Sequence, residues 1–250
     1  MSTTVDLSVI VPVLDEVESI PPFWEELDAA LGDLGLPAEV IFVDDGSTDG
    51  SAEAIRAVMT RDPRVRMLGI KVNAGLSAAF HAGYEAARAP IVVTIDADLQ
   101  NDPREIQALL AALENGADAA VGWRRERHDP WGKRMSSRVA NAIRDRVTGD
   151  SVQDSACSLR AMRRECLHAI PPYSGMHRFV PTLLRTAGYR VVEVPVRHRP
   201  RRFGQSKFGV RNRALRAFVD LLVVRWMIRR TLRYEVREVV PAVPLRARKR

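Results

Sequence analysis

Short apolar segments alternate with helix-like segments through the first half of the chain, and this alternation limits the possible folds more than any other feature. The apolar segments are rich in Val and Ile and cover residues 7–13, 39–43, 65–70, 91–95 and 119–121. Helical spacing of apolar residues predicts helices over 20–31, 51–60, 76–87 and 103–113. Buried strands separated by such helices predict βαβ units in a mostly parallel sheet, with ligands bound beyond the carboxyl ends of the strands.

The pattern changes after residue 121. Basic helices are predicted over 133–147 and 178–186, and an alternating strand over 189–196. In the segment 214–227 the apolar residues with helical spacing are Leu215, Phe218, Val219, Leu222, Val223, Trp226 and Met227. The charged residues of the other face are Arg213, Arg216, Asp220 and Arg230. We expect the apolar face to pack against the core, and a helix lying in a membrane interface is the alternative.

Charge is divided unequally between the two halves of the chain. Residues 1–120 contain 7 Lys/Arg and 21 Asp/Glu, whereas residues 121–250 contain 31 and 10. This asymmetry indicates that the second half binds an anionic partner, which could be nucleic acid, anionic lipid or a phosphorylated small molecule. Nucleic acid is disfavoured, because no nucleic-acid-binding module is recognisable and the acidic first half would repel phosphates.

Cysteine content and hydropathy indicate the cellular compartment. The two cysteines, Cys157 and Cys166, are too few for a disulfide framework or a cysteine metal site. The sequence has no apolar run of 18 residues and does not open with a signal peptide. We therefore expect a cytoplasmic protein.

The strand predicted at 91–95 runs directly into two aspartates and a glutamine. Residues two apart lie on the same side of an extended segment, so Asp96 and Asp98 can converge on one point. Their carboxylate oxygens, with the amide oxygen of Gln100, suit Mg²⁺ or Mn²⁺ that bridges a diphosphate. The alternative role, capping the next helix, is assigned to Asp102 instead, because a proline follows it at the first helical position.

A second acidic pair, Asp44 and Asp45, follows the strand predicted at 39–43. Either acid could accept a hydrogen bond from a ribose hydroxyl or a base edge, as acids at strand ends do in nucleotide-binding folds. The next polar residues, 47–49, favour turn and cap roles. The sequence therefore predicts a nucleotide site beside the predicted metal site.

Taken in order, these motifs resemble those of family-2 glycosyltransferases. The segments that carry the resemblance are VIVPVLDE at 9–16, VDDGS at 43–47, NAG at 73–75 and DADLQ at 96–100. The likeness is to dolichyl- and undecaprenyl-phosphate sugar transferases, which include the dolichol-phosphate mannosyltransferases, and it covers about residues 6–230. It implies an α/β fold: a single GT-A type nucleotide-sugar-binding domain with a mostly parallel central sheet and a basic, helical C-terminal extension.

The resemblance also implies a domain organisation and a set of site residues. The glycosyltransferase domain would cover residues 1–210, with a donor half at about 1–120 and an acceptor half at about 121–210. A helical extension at 211–235 and a basic tail at 236–250, which we expect to be disordered, would follow. The implied nucleotide-binding residues are Pro12, Leu14, Glu16, Asp45, Asp96 and Ala97. The implied metal ligands are Asp96, Asp98 and Gln100, with Mg²⁺ or Mn²⁺ as the cofactor.

In the second half, the segment PRRFGQSKFG at 200–209 resembles the basic acceptor motif of the same family. The segments 121–124 and 133–137 resemble those at which the acceptor phosphate lies. The implied phosphate-binding residues are Arg124, Arg134, Ser137, Arg201 and Lys207, and the implied catalytic residues are Asp98, Arg201 and Asp154. A solvated basic surface is the alternative for Arg124 and Arg134, and a structural loop acid is an equal alternative for Asp154.

The function implied by the resemblance is inverting transfer of a sugar from a UDP- or GDP-sugar to a polyprenyl phosphate. A lipid monophosphate is largely ionised at neutral pH and needs no general base, whereas a hydroxyl acceptor requires one. A family-2 glycosyltransferase that acts on a soluble hydroxyl acceptor is the alternative. The expected location is the cytoplasm or the inner face of the cell membrane, with an anionic membrane surface as a further partner and no nucleic acid.

Overall fold

The computed structural model of the chain describes residues 5–124, 146–149, 152–155, 157–203 and 210–231. In the last of these segments side chains are described from Val219 onward. Among the residues singled out in the sequence, Arg134, Ser137 and Lys207 lie outside the described residues, as does the basic tail at 236–250. Their predicted roles stay predictions.

Seven strands form one sheet in the described part of the chain. They are β1 Leu7–Val13, β2 Ala38–Asp44, β3 Val65–Gly69, β4 Ile91–Thr94, β5 Ala119–Arg124, β6 Arg160–Arg163 and β7 Val191–Val196. The helices are α1 Ile20–Leu34, α2 Ser51–Arg61, α3 Leu76–Ala86, α4 Ile106–Glu114, α5 Val180–Thr186 and α6 Val210–Arg230. Short 3-10 helices cover Pro103–Glu105, Arg164–Ala169 and Met176–Arg178.

The order of the strands across the sheet is β3-β2-β1-β4-β6-β5-β7. β1 pairs in parallel with β2 and β4, β2 with β3, and β5 with β7, so the predicted mostly parallel α/β sheet is confirmed. β6 runs antiparallel between β4 and β5 and was not predicted. Its sequence, Arg-Ala-Met-Arg, is too short and too charged to show a strand pattern, and it becomes a strand because two neighbours satisfy its backbone.

Each face of the sheet is covered by its own layer of helices. α1, α2 and α4 pack on one face, where Phe23, Ile55 and Leu109 belong to the same core cluster as Val9. On the other face α3, α5 and α6 pack in a second cluster that contains Ile10. Neighbouring residues of β1 thus enter opposite cores, which explains why every residue of β1 and β2 is buried and why both strands are almost wholly apolar.

The last helix, α6, packs by a different face from the one predicted. Leu221 and Val224 are buried in the second cluster. The exposed apolar residues of this helix are Val219, Leu222, Val223 and Trp226, at 50%, 47%, 42% and 62% exposure. The expectation that these four residues face the core is therefore wrong. Both sides of the helix are apolar, and spacing alone does not reveal which side finds a partner.

None of the helices in the described residues is both long and apolar enough to cross a membrane.

Glu39 joins three strands and a helix end at the amino-terminal edge of the sheet. Its carboxylate accepts hydrogen bonds from Ser8 Oγ at 2.7 Å and the backbone N–H of Arg88 at 2.8 Å, and it pairs with Arg66 at 2.6 Å. Burial raises the pKa of Glu39, whereas these hydrogen bonds and the charge of Arg66 lower it. The lowering is the larger effect, so the pKa lies below the usual 4.5.

Because this pKa is lowered by folding, ionised Glu39 should stabilise the protein at pH values above its unfolded pKa, and the stabilisation should be lost as pH falls through its folded pKa. We therefore expect Glu39→Gln to lower the stability of the protein at pH 7. The variant should then lose less stability on acidification than the unchanged protein does. Urea midpoints of both proteins at pH 7 and at pH 4 would measure this. An acid-induced loss of the same size in Glu39→Gln would contradict the assignment.

Candidate active site

A cavity of about 490 Å³ opens at the carboxyl ends of β1, β2 and β4. Its size is that of a small-molecule site. It is lined by Pro12, Val13, Leu14, Asp15, Glu16, Asp45, Asn73, Gly75, Leu76, Ala79, Asp96, Ala97, Asp98 and Arg201. All six predicted nucleotide-binding residues are in this set, together with Asp98 and Arg201. The fold thus brings together side chains that lie up to 189 positions apart in the chain, from Pro12 to Arg201, and it does so at the edge of the sheet where ligands were expected.

The loops that follow β1 and β2 are tied to each other beside the cavity. The backbone N–H of Asp15 donates to Ser47 Oγ at 2.9 Å, and that of Thr48 donates to Asp15 Oδ1 at 2.7 Å. The N–H of Val17 donates to Asp49 Oδ2 at 3.0 Å. These contacts give residues 47–49 a structural role, and they hold the loop carrying Leu14 and Glu16 against the cavity.

Asp45 fixes the start of α3. Its two carboxylate oxygens accept hydrogen bonds from the backbone N–H groups of Ala74 and Gly75, both at 2.8 Å. The next residue, Gly46, has φ +77°, and a Cβ there would lie 2.9 Å from the backbone nitrogen of Asn73. Glycine is therefore required for the two loops to approach each other. Each oxygen of Asp45 keeps a lone pair for a further donor, and its predicted contact with a nucleotide stays a prediction.

A tight turn after β4 directs two carboxylates into the cavity. Leu99 has φ +61°, an uncommon value for a residue other than glycine, and its side chain is fully buried. The backbone N–H of Gln100 donates to Asp98 Oδ1 at 3.1 Å across this turn. Asp102 acts as the predicted cap, because its carboxylate accepts from the backbone N–H of Arg104 at 3.1 Å. The buried side chain of Leu99 and the cap at Asp102 thus fix the turn that carries Asp96 and Asp98.

The electrostatics of this turn favour a cation. Burial and then the charge of Asp98 raise the pKa of Asp96 to about 6, while Ser158 and two arginines, Arg160 and Arg201, act in the opposite direction. Asp98 is buried and Asp96 is half-buried, and two carboxylates that repel each other at the wall of a cavity offer the hard oxygen ligands that Mg²⁺ and Mn²⁺ prefer. The residues present therefore fit a divalent metal ion.

Arg201 crosses from the second half of the chain to the acids of the first half. Its Nη2 donates to Asp98 Oδ2 at 2.8 Å, and its Nη1 donates to Glu16 Oε1 at 3.2 Å. A guanidinium thus lies beside the turn that carries Asp96 and Asp98. Arg201 is the predicted phosphate-binding residue that the described structure brings into the cavity.

Gln100, the third predicted metal ligand, is directed away from the cavity. Its Nε2 donates to the backbone carbonyl of Arg199 at 3.4 Å and lies 3.4 Å from His198 Nε2. The backbone N–H of Arg199 donates in turn to the carbonyl of Gln100 at 2.9 Å. In this conformation Gln100 attaches the segment that leads to Arg201, and its role as a ligand stays a prediction.

Asp154 and Arg124 bind each other. Arg124 Nε lies 2.5 Å from Asp154 Oδ2, and its Nη2 lies 2.8 Å from Oδ1, in a bidentate pair in which the aspartate is 2% exposed. Neither residue lines the cavity. The structure thus joins a predicted catalytic acid to a predicted phosphate-binding arginine, an arrangement that the sequence did not suggest.

Arg160 is a site residue that the sequence analysis missed. Arg160 lies on β6, directly opposite Thr94 of β4, and it is 2% exposed. Thr94 precedes Asp96 by two residues. Its Nη2 donates to the backbone carbonyls of Ser155 at 3.2 Å and His177 at 2.8 Å, whereas its Nε and Nη1 make no hydrogen bond with any described residue. Its charge is one of those that oppose the rise in the pKa of Asp96. Only the position of the unpredicted strand β6 reveals this role.

Comparison of the sequence with known proteins agrees with this arrangement. The model of the family "Glycosyl transferase family 2" matches residues 8–170. The undecaprenyl-phosphate 4-deoxy-4-formamido-L-arabinose transferase of Edwardsiella ictaluri is 36% identical over 206 residues, which are 82% of this chain and 63% of that protein. The dodecaprenyl-phosphate galacturonate synthase of Rhizobium johnstonii is 35% identical over 231 residues, 90% of this chain and 68% of that protein. The chain thus spans about two thirds of the length of these relatives.

Solved structures share the fold. Glucosyl-3-phosphoglycerate synthase from Mycobacterium tuberculosis, in complex with Mn²⁺, UDP and glucosyl-3-phosphoglycerate, has a TM-score of 0.63 at 22% identity, covering 90% of this chain and 80% of that one. A mannosyltransferase from Pyrobaculum calidifontis, in complex with GDP-Man and Mn²⁺, has a TM-score of 0.58 at 21% identity, covering 91% and 70%. The predicted GT-A type fold is confirmed by these likenesses. Since the family model covers most of the chain and the relatives retain about a third of its residues, the chain belongs to glycosyl transferase family 2.

Proposed function

We propose that this protein is an inverting glycosyltransferase that moves a sugar from a nucleoside diphosphate sugar to a polyprenyl phosphate. The observation that carries the proposal is the cavity in which Asp96, Asp98 and Arg201 meet the candidate nucleotide-binding residues. The relatives named above are transferases of undecaprenyl or dodecaprenyl phosphate, and they match 82% and 90% of this chain, which supports the same class of acceptor.

For the donor we propose a UDP- or GDP-sugar, whose nucleotide would lie against Pro12, Leu14 and Asp45. Asp96 and Asp98 would hold Mg²⁺ or Mn²⁺, with Gln100 as a third ligand if its amide turns toward the cavity. When bound, the ion supplies positive charge to the diphosphate of the donor and to the leaving group. Mn²⁺ complexes of the fold neighbours with UDP or with GDP-Man support this class of donor and cofactor.

The residues of the chain itself would supply orientation and charge. Arg201 is already in the cavity, where its guanidinium can turn from Glu16 and Asp98 toward entering phosphates and lower their mutual repulsion. A polyprenyl phosphate carries its nucleophilic oxygen in ionised form, so no side chain has to remove a proton from it. The pairing of Asp154 with Arg124, outside the cavity lining, favours this acceptor over a hydroxyl acceptor that needs a base.

We expect Asp154→Asn to slow sugar transfer by less than tenfold and to lower the free energy of unfolding by about 3 kcal/mol, because it leaves the largely buried Arg124 without its counter-charge. Thermal unfolding and initial transfer rates would measure the two effects. Glu53→Gln, which removes an exposed ion pair with Arg56, is the matched control and should change stability by less than about 0.5 kcal/mol. If transfer slowed by about 10²-fold or more while stability stayed unchanged, Asp154 would instead act as a general base.

Transfer assays test the function itself. UDP- and GDP-sugars would be offered with Mg²⁺ or Mn²⁺, each with a short polyprenyl phosphate and, separately, with soluble hydroxyl acceptors. The expected product carries the sugar on the lipid through one phosphate and is labile to mild acid. An ordinary glycoside, formed without any polyprenyl phosphate, would overturn the proposed acceptor and favour the soluble-acceptor transferase. Because the proposed acceptor is a lipid, we also propose that the protein works at the inner face of the cell membrane.

A further inference from the structure

Arg160 is a buried cation that has few partners. Its Nη2 donates to the backbone carbonyls of Ser155 at 3.2 Å and His177 at 2.8 Å. Its Nε and Nη1 make no hydrogen bond, and no carboxylate forms an ion pair with it, among the residues that the structure describes. A buried charge without a counter-charge destabilises a fold. A residue of this kind beside a candidate active site therefore indicates a functional role.

The side chain of Arg160 lies in the helix layer that borders the cavity. Met162, two residues further along β6, belongs to the second hydrophobic cluster, and side chains two apart on a strand share a face of the sheet. Tyr84 of α3 belongs to the same cluster; burial raises its pKa, and the charge of Arg160 opposes that rise. Ala79, earlier in α3, also lies in this cluster and lines the cavity. The guanidinium thus lies in an apolar layer that reaches the cavity wall.

Asp96 is within reach of this buried charge. Arg160 pairs across the sheet with Thr94, and Asp96 follows Thr94 by two residues, so the three side chains lie on the same side. Burial and the charge of Asp98 raise the pKa of Asp96. A hydrogen bond with Ser158 and the charge of Arg160 act in the opposite direction. Arg160 therefore acts on this acid through its charge and not through an ion pair.

The two arginines that act on the acids of the cavity differ in position. Arg201 Nη2 donates to Asp98 Oδ2 at 2.8 Å, so it occupies an oxygen that a metal ion would need. Arg160 makes no such contact with Asp96, which lines the cavity. Its charge can therefore offset the repulsion between the two acids without competing with a metal ion for their oxygens.

We propose that Arg160 is a positioning residue of the metal site, whose buried charge holds the carboxylates of Asp96 and Asp98 together at the cavity. Without it, the repulsion between the two acids would turn Asp96 away from Asp98 and weaken the site before any substrate binds. Residues that orient the ligands of a metal ion typically account for about 10- to 100-fold in metal affinity. The inference rests on the proposed function for the metal site alone, and it requires no particular sugar or acceptor.

Mn²⁺ titrations followed by electron paramagnetic resonance test this role. They would use the full chain, with Mn²⁺ alone and with Mn²⁺ plus UDP or GDP, and neither a sugar donor nor an acceptor. Arg160→Gln keeps an amide that can donate to a backbone carbonyl but lacks the charge, and we expect it to bind Mn²⁺ at least about tenfold more weakly. Arg160→Lys keeps the charge and should stay within about threefold of the unchanged protein.

Arg163→Gln is the matched control, because Arg163 lies on the same strand opposite Ile91, at the other end of β4, and its side chain is 43% exposed. It should bind Mn²⁺ as the unchanged protein does. Thermal unfolding of each variant would show whether its fold persists. If Arg160→Gln does not fold, Arg160→Met, which buries no polar side chain, takes its place in the comparison with Arg160→Lys.

Three results would overturn the proposal. They are full Mn²⁺ affinity in Arg160→Gln, an equal loss of affinity in Arg160→Gln and Arg160→Lys, and no Mn²⁺ binding by the unchanged protein. The first result, together with a loss of thermal stability, would limit Arg160 to holding the carbonyls of Ser155 and His177. The expected pattern of Mn²⁺ affinities without transfer to polyprenyl phosphate would reject the proposed acceptor and leave this inference intact.

Discussion

Asp98→Asn is expected to abolish the metal-dependent part of nucleotide binding and to slow sugar transfer by about 10²-fold or more. The physical reason is that the side chain has two separate tasks. Its Oδ1 accepts from the backbone N–H of Gln100 and maintains the turn, and an asparagine oxygen can do the same. Its negative charge, paired with Arg201 at 2.8 Å, is what a cation would bind, and asparagine lacks it. The fold should therefore persist while the cation site is lost.

Calorimetry of UDP and GDP with Mn²⁺, and again with a chelator, would separate the two parts of the affinity. Asp62→Asn is a suitable control, because this acid pairs with Arg64 just before β3, at the opposite edge of the sheet from the cavity. The control should keep the full effect of Mn²⁺ on nucleotide affinity. If Asp98→Asn also kept it, the assignment of the metal to this turn would have to be abandoned.

The second large effect is expected for Arg201→Ala, which should reduce turnover at least tenfold, a rise of about 1.4 kcal/mol in the barrier. Affinity for Mn²⁺ should not fall, and we expect it to rise. In the structure the guanidinium of Arg201 forms ion pairs with Asp98 and Glu16, so a cation that binds Asp98 must displace it. Without the arginine the cation meets less competition, but the phosphates lose a positive charge during transfer.

This combination of slower turnover with undiminished metal affinity distinguishes a phosphate-contacting arginine from a metal-site residue. Kinetics at saturating donor and Mn²⁺ titrations would give the two quantities. Arg202→Ala is the matched control, since Arg202 is exposed and its guanidinium lies 5.9 Å from the ring of Phe203. Thermal stability should change little in either variant. Normal turnover combined with a clear loss of stability would indicate that Arg201 only joins the two halves of the chain.

The charge asymmetry of the sequence has a partly internal explanation. Two arginines of the basic half pair with acids of the acidic half: Arg199 with Glu26 at 2.6 Å and also with Asp102, and Arg201 with Glu16 and Asp98. Part of the positive charge assigned to an anionic partner is thus neutralised within the domain. Composition cannot separate these contributions, because it records how many charges each half has and not which of them meet.

The sequence by itself determined the α/β architecture and the position of the candidate site. Strands buried on both faces must be apolar throughout, so β1, β2 and β4 could be recognised within a residue or two of their ends. Parallel strands also place their carboxyl ends at one edge, so acids that follow separate strands were expected to converge, as Asp45, Asp96 and Asp98 do. These features follow from local patterns that hold wherever the rest of the chain lies.

Only the tertiary structure decided which residues of the second half act together. The short strand β6 exists because β4 and β5 flank it, and it buries Arg160 near Asp96. The sequence left Asp154 equally compatible with a catalytic and a structural role, and only the structure shows that it pairs with Arg124. In α6 two apolar faces competed for the core, and packing against the layer that contains α3 left Trp226 outside. In each case the outcome depends on a contact between distant segments, and side-chain spacing along one segment does not carry that information.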